Sequence, residues 1–185
     1  MGREIRRVPA NWEHPKTERP NHRLGIMEEC YQPLYDQAFA PAMREWIDGW
    51  DAWERGERPE YCSAELSTPY WEYEGAPPNP DYYRPDWKPE EMAWFQVYET
   101  VSEGTPVTPP FETREELVEY LVTNGDFWDQ KRRAEGSSGM RCTPWPRDEA
   151  MAFVYGSGWA PSMVVFSGKV MSGTEAMLDL SQTAV

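Results

Sequence analysis

Few residues in this sequence have the type and spacing that chemistry demands. His14 and His22 are its only histidines, the side chains best suited to moving protons at neutral pH. Both lie in a polar, proline-punctuated stretch, with no Cys or carboxylate at metal-ligand spacing and no His-Glu-x-x-His pair. They read as surface or structural histidines. Cys30, Cys62 and Cys142 are odd in number and widely spaced, which argues against a zinc cluster or a disulfide framework. Three reduced thiols in a cytosolic protein is the simpler reading. No serine stands in Gly-x-Ser-x-Gly. The pairs Gly136 with Gly139 and Gly156 with Gly158 lack the Lys-Ser/Thr of a phosphate loop and the strand–turn–helix setting of a dinucleotide site. With 32 carboxylates some pair is always close, so no particular pair signals acid–base work. The residues therefore name no catalytic group, no metal ligand and no cofactor.

Two patterns point instead to binding. The first is charge. From Glu28 to Asp129 there are 24 carboxylates against 6 Lys/Arg, while residues 1–27 carry a net +3 and residues 130–185 a net +1, giving −14 for the chain. Such a field repels nucleic acid and attracts basic surfaces. Ordered carboxylates can imitate duplex DNA, which presents about one negative charge per 1.7 Å, although a charge run also serves simply to solubilise. The second pattern is the segment 102–106 (SEGTP) ahead of a helix capped by Thr113. Free N–H groups at a helix start bind anions, with Ser102, Gly104, Thr105 and Thr113 as contacts. The competing reading is punctuation, in which Gly104 ends one helix and Pro106, Pro109 and Pro110 stiffen the connection.

The elements that must position these residues follow from periodicity. Residues 3–8 (REIRRV) predict a short strand with Ile5 and Val8 available for burial, and 11–23 a loop. After Pro41, Phe39, Met43, Trp46, Trp50 and Trp53 fall on one helical stripe. Glu45, Asp48 and Asp51 point away from it, and Gly56 is the stop. The stripe reads as core, and the three acids as the candidate partner-binding face. Residues 57–88, dense in Pro and Tyr, predict an ordered loop packed by its own aromatics. Tyr70, Trp71, Tyr73, Tyr82, Tyr83 and Trp87 are its candidate partner contacts, since interfaces favour such side chains. A second helix is expected from Pro89 to about Val101 with Trp94, Val97, Tyr98 and Val101 inward, closed by Gly104. Residues 107–111 suit a short extended segment. Thr113 and Glu116 form a capping box for a helix that Asn124-Gly125 closes. Residues 131–143 suggest an exposed loop, and 146–155 a short helix. A hairpin is expected over 163–171, then a helix opened by a Ser172–Glu175 box and running through Leu180. The sum is an α+β fold in one domain, helices packed on a small antiparallel sheet with long loops.

Composition agrees with a folded chain. Ten Trp, ten Tyr and six Phe supply on the order of 150–250 Å² of burial each, and disordered chains are poor in aromatics. The N-terminus has no apolar run of a signal peptide, and no window approaches a membrane span. A soluble intracellular protein is expected.

Four segments carry a resemblance: GREIRRVPANWEHP at 2–15, PDYYRPDW at 80–87, YETVSEGTPVTPPFETREELVEYLVTNG at 98–125 and FSGKVMSGTEAM at 166–177. Together they resemble a family of small proteins encoded by tailed bacteriophages and prophages. The resemblance implies phage origin and the cytoplasm of the infected bacterial host as location; it carries no activity onto residues here. The expected function is non-enzymatic: binding and inhibition of a host protein or ribonucleoprotein with a basic surface. CRISPR effectors, which hold nucleic acid in positively charged channels, are one such class. No direct nucleic-acid or membrane contact is expected. The alternatives are a small enzyme or ligand-binding protein using the SEGTP segment, and a virion or assembly component.

Overall fold

A computed structural model of the chain describes residues 2–22, 25–60, 62, 68–101, 104–136, 142–166 and 169–176. In chain order the elements are β1 (Arg3–Val8), β2 (Lys16–Asn21), β3 (Ile26–Tyr31), β4 (Tyr35–Ala38), α1 (Phe39–Glu54) and α2 (Tyr70–Tyr73). A 3₁₀ turn (Pro80–Tyr82), β5 (Tyr83–Arg84), β6 (Trp94–Glu99) and β7 (Thr105–Pro106) follow. The last are α3 (Arg114–Asn124), α4 (Phe127–Ala134), α5 (Arg147–Tyr155), β8 (Trp159–Ala160), β9 (Met163–Phe166) and β10 (Lys169–Ser172). The fold is α+β, and its chain divides into two compact units, residues 34–86 and the remainder.

The larger unit is built on an antiparallel sheet of order β7-β6-β1-β8. Its register pairs Arg3 with Glu99, Ile5 with Val97 and Val8 with Trp94. Because side chains alternate along a strand, Ile5, Phe95 and Val97 share one face. They join a core of Leu117, Val118, Leu121, Trp145, Phe153 and Val154 from α3, α5 and the segment before it. The opposite face carries Glu4, Arg6, Gln96 and Tyr98, and His14 covers it through ring contact with Tyr98. Both faces of β6 are thus buried. This corrects the helix expected from Pro89 to Val101. The stripe of Trp94, Val97, Tyr98 and Val101 fits a helical period, but a strand covered on both sides shows no alternation to reveal it. Residues 94–98 (WFQVY) are strong strand formers, and their partner lies some ninety residues earlier.

Three further expectations change. Residues 11–23 contain β2, which pairs with β3 from Lys16↔Tyr31 to Asn21↔Ile26; Pro20 is tolerated because the sheet is only two strands wide. Residues 131–143 begin inside α4, whose capping box uses Asp126 and Asp129. Gly104, at φ +97°, does not cap a helix. It makes the turn from β6 into β7, its N–H donating to Glu99 O. The Thr113–Glu116 box, the helix over 147–155 and the hairpin of β9 and β10 are as read from the sequence. The Ser172–Glu175 box is also present and opens a helical turn over 173–176; the continuation to Leu180 lies outside the described residues.

The smaller unit consists of α1, α2, the 3₁₀ turn and a parallel β4–β5 pair. Residues 57–88 are therefore not one long loop. Ala42 and Trp53 are the buried residues of α1. Trp46 is half-buried, and Trp50 stands 44% exposed. At 100° per residue the inward face is rotated by roughly half a residue step from the Trp stripe, toward Ala42 and Gly49. The cause is α2: the Tyr70 ring lies so close to Gly49 that a Cβ there would meet Tyr70 Cζ at 2.8 Å. Small residues let the Tyr70 ring in, and Trp50 is turned out.

Candidate functional site

On α1 the rotation leaves a defined outer surface. Glu45, Asp48 and Asp51 are all exposed, and among the described residues none forms an ion pair or a side-chain hydrogen bond. Ile47, 40% exposed, borders Asp51 one turn on, whereas the exposed Trp50 stands roughly 100–160° round the helix from the three acids. Successive acids three residues apart climb about 4.5 Å along the axis, near the ~3.4 Å per phosphate of one duplex strand. The surface thus combines a ladder of acids with one exposed aliphatic side chain, Ile47.

The aromatic segment is not a single surface. Tyr70 is buried against α1, with ring contacts to Trp46 and Trp53. Tyr73 stacks on Trp53 at 4.5 Å between centroids. Tyr83 packs on Tyr35 and Phe39. These three serve the interior of the smaller unit, and a partner cannot reach the buried Tyr70. Trp71 and Tyr82 are exposed. Trp87 belongs to the larger unit, where it meets Trp12 edge-on at 4.6 Å.

The anion site fares differently residue by residue. Ser102 lies outside the described residues. Gly104 and Thr105 sit at the β6–β7 turn, Thr105 opposite Glu99. Thr113 Oγ1 accepts from Glu116 N, and Glu116 Oε2 accepts from Thr113 N, each at 3.1 Å. Two donors that an anion would use are therefore satisfied within the helix start itself.

Two polar clusters escaped the sequence reading because their members are far apart in the chain. In the first, Asp126 Oδ2 accepts from Arg3 Nε at 2.7 Å and Nη2 at 2.6 Å, both residues being almost fully buried. Asp126 Oδ1 accepts from the N–H groups of Trp128 and Asp129, capping α4. Asp129, equally buried, accepts from Trp145 Nε1 at 2.8 Å and from Arg132 at 2.8 Å. Burial and the neighbouring Asp126 charge push its carboxyl above the usual range, against the hydrogen bonds it accepts. These groups lie at the edge of a cavity of about 560 Å³ shared with Met163, Met171 and Thr174.

The second cluster centres on His14. Its Nε2 is 2.6 Å from Gln32 O, to which it must donate, and its Nδ1 is 3.3 Å from Tyr98 Oη. The Tyr98 hydroxyl donates to Gln96 Oε1 at 2.9 Å, and Gln96 Nε2 donates to Thr108 O. Burial holds the imidazole below its ordinary 6.5; the Gln32 carbonyl opposes this, and Arg6 adds to the lowering. A histidine with a depressed folded pKa leaves the unfolded chain binding more protons between that value and 6.5. Stability contributed by its neutral form is complete above 6.5 and is lost as pH falls through the folded pKa. Urea midpoints at pH 7.5 and 5.5 should differ by more in the native chain than in His14→Gln. Equal differences would remove His14 from the account.

Comparison with known protein families, with curated proteins and with solved structures finds no match to this chain. Among the described residues, no group of three or more His, Cys, Asp or Glu could hold a metal ion. No helix there is long and apolar enough to cross a membrane.

Proposed function

We propose that this chain is a phage-encoded, non-enzymatic protein that binds and inhibits a bacterial host complex in the infected cytoplasm. It engages a basic, nucleic-acid-handling surface through the outer face of α1; a CRISPR effector channel is one target of this kind. The observation that carries the reading is the set of three exposed carboxylates, Glu45, Asp48 and Asp51, which form no ion pair or side-chain hydrogen bond among the described residues, with the exposed Ile47 bordering Asp51. Carboxylates alone would serve solubility. Ile47, exposed one turn before Asp51, adds an apolar contact within the same face, while the acids steer approach to a positive partner.

The test begins with affinity capture from infected host cells and continues with the purified partner. Affinity should fall steeply between low and physiological salt, as expected for charge-steered docking. The triple reversal Glu45→Lys, Asp48→Lys, Asp51→Lys should weaken binding by at least on the order of 10²-fold with no change in thermal melting. Salt-insensitive binding, or full inhibition by the reversed protein, would sink the proposal.

A further inference from the structure

The larger unit holds a second candidate site, independent of α1. A cavity of about 750 Å³ opens beside His14, lined by the rings of Trp12, Tyr31, Tyr120 and Phe127 together with Gln96 and Gln130. Drug-sized ligands occupy cavities of roughly this volume, mostly apolar with a few placed polar groups. Tyr31 is 39% and Phe127 47% exposed, so two large rings of the wall face open space. Four prolines complete the lining and contribute no N–H groups. Aromatic rings and pyrrolidines make up most of the wall.

The polar groups have unspent capacity. Gln130 Nε2 donates to Tyr120 Oη at 3.0 Å and to Gly125 O at 3.2 Å. Its Oε1 accepts nothing from the described residues. Tyr120 Oη accepts from Gln130 and keeps its own proton to give. Gln96, 4% exposed, uses Oε1 for Tyr98 and one hydrogen of Nε2 for Thr108 O, leaving the second hydrogen without a described partner. The cavity therefore offers an amide acceptor, a phenol donor and an amide donor, all uncharged. Its charged members are Glu13 and Lys16, and Lys16 Nζ is held by Glu29 at 2.7 Å. Among the described lining residues the one lysine is already paired with a carboxylate, and a chain of net charge −14 repels a phosphate.

We infer that this cavity binds an uncharged planar heterocycle with donors and acceptors on its edge, a nucleobase or nucleoside free in solution. Aromatic faces stack on any base, and the Gln130 acceptor with the separate Tyr120 and Gln96 donors answers the mixed donors and acceptors of a base edge. A saccharide would also stack on aromatics, and its hydroxyls both donate and accept, so it is the competing ligand class that the test must separate.

The experiment is calorimetry on the full chain with adenosine, guanosine, cytidine and uridine, each repeated as its 5′-monophosphate, and with maltose as the saccharide arm. At least one nucleoside should bind with Kd below about 1 mM, and its monophosphate roughly tenfold or more weakly. Tyr120→Phe, which removes one hydroxyl and no ring, should weaken the nucleoside roughly two- to tenfold. Gln130→Met, similar in shape but without the amide, is the second variant, and thermal melts report whether each is folded. No nucleoside binding at millimolar concentration overturns the inference. So does a monophosphate that binds more tightly than its nucleoside, binding unchanged in both variants, or binding by maltose alone.

Discussion

Asp126→Ala is expected to cost about 3–5 kcal/mol of unfolding free energy, the range for breaking a buried ion pair from one side. The carboxylate lies between two obligations. One oxygen faces the Arg3 guanidinium, which is 4% exposed and has little water to fall back on. The other oxygen caps α4 through Trp128 N and Asp129 N, a role worth about 1 kcal/mol by itself. Removing the side chain takes a carboxylate from the buried Arg3 and unmasks two helix donors together. Asp126→Asn separates the two losses: an amide oxygen can still cap, while the carboxylate charge facing Arg3 is gone. Adding Arg3→Met to Asp126→Asn should recover much of the stability, because an apolar pair in place of a buried ion pair is often close to neutral. Urea denaturation of the three variants provides the test. A loss under about 1 kcal/mol for Asp126→Ala would show that the pair is not buried as described.

This pair also marks where the sequence stops being readable. Arg3 and Asp126 stand 123 residues apart, and nothing local distinguishes them from the other Arg and Asp residues of the chain. Short-range signals, by contrast, were legible. The Thr113–Glu116 and Ser172–Glu175 boxes each place a hydroxyl three residues before a carboxylate, and that spacing is sufficient to close both hydrogen bonds. The box that opens α4 uses Asp129 where Glu or Gln is usual, and so gave no helix signal. β6 was misread because its partner, β1, is distant and its two faces are both covered. One is covered by the helical core and the other by His14. Period alone cannot separate such a strand from a buried helix. The hairpin of β2 and β3 was missed for the opposite reason: its side chains are almost all in water, so no apolar alternation marks it.

The candidate site on α1 was legible as a face and not as a surface. Spacing placed Glu45, Asp48 and Asp51 opposite the Trp stripe, and they are exposed. Which tryptophans would be buried depended on Gly49, whose missing Cβ admits Tyr70 from a segment about twenty residues on. That contact rotates the helix, buries Trp53 and leaves Trp50 in water. The aromatic cavity beside His14 was invisible for a further reason: its walls come from five separate stretches of the chain.

Trp53→Ala is the change expected to hit the smaller unit hardest, at about 3–5 kcal/mol for a buried tryptophan. Trp53 is 5% exposed. It stacks on Tyr73, carries the Arg58 guanidinium 3.8 Å over its ring and donates from Nε1 to Thr68 O at 3.0 Å. Residues 34–86 form a unit small enough that one such cavity consumes most of the stability available to it. Hydrogen exchange should register this as lost protection of the α1 amides, residues 39–54. Trp53→Phe keeps an aromatic ring against Tyr73 and gives up the indole N–H, and should retain much of that protection. The pair also disciplines the functional test on the other side of the same helix. If reversing Glu45, Asp48 and Asp51 abolishes partner binding while α1 exchange stays native, the acidic face is read directly by the partner. If exchange in the reversed protein rises to the level of Trp53→Ala, the loss belongs to folding, and the case for α1 as the binding surface falls with it.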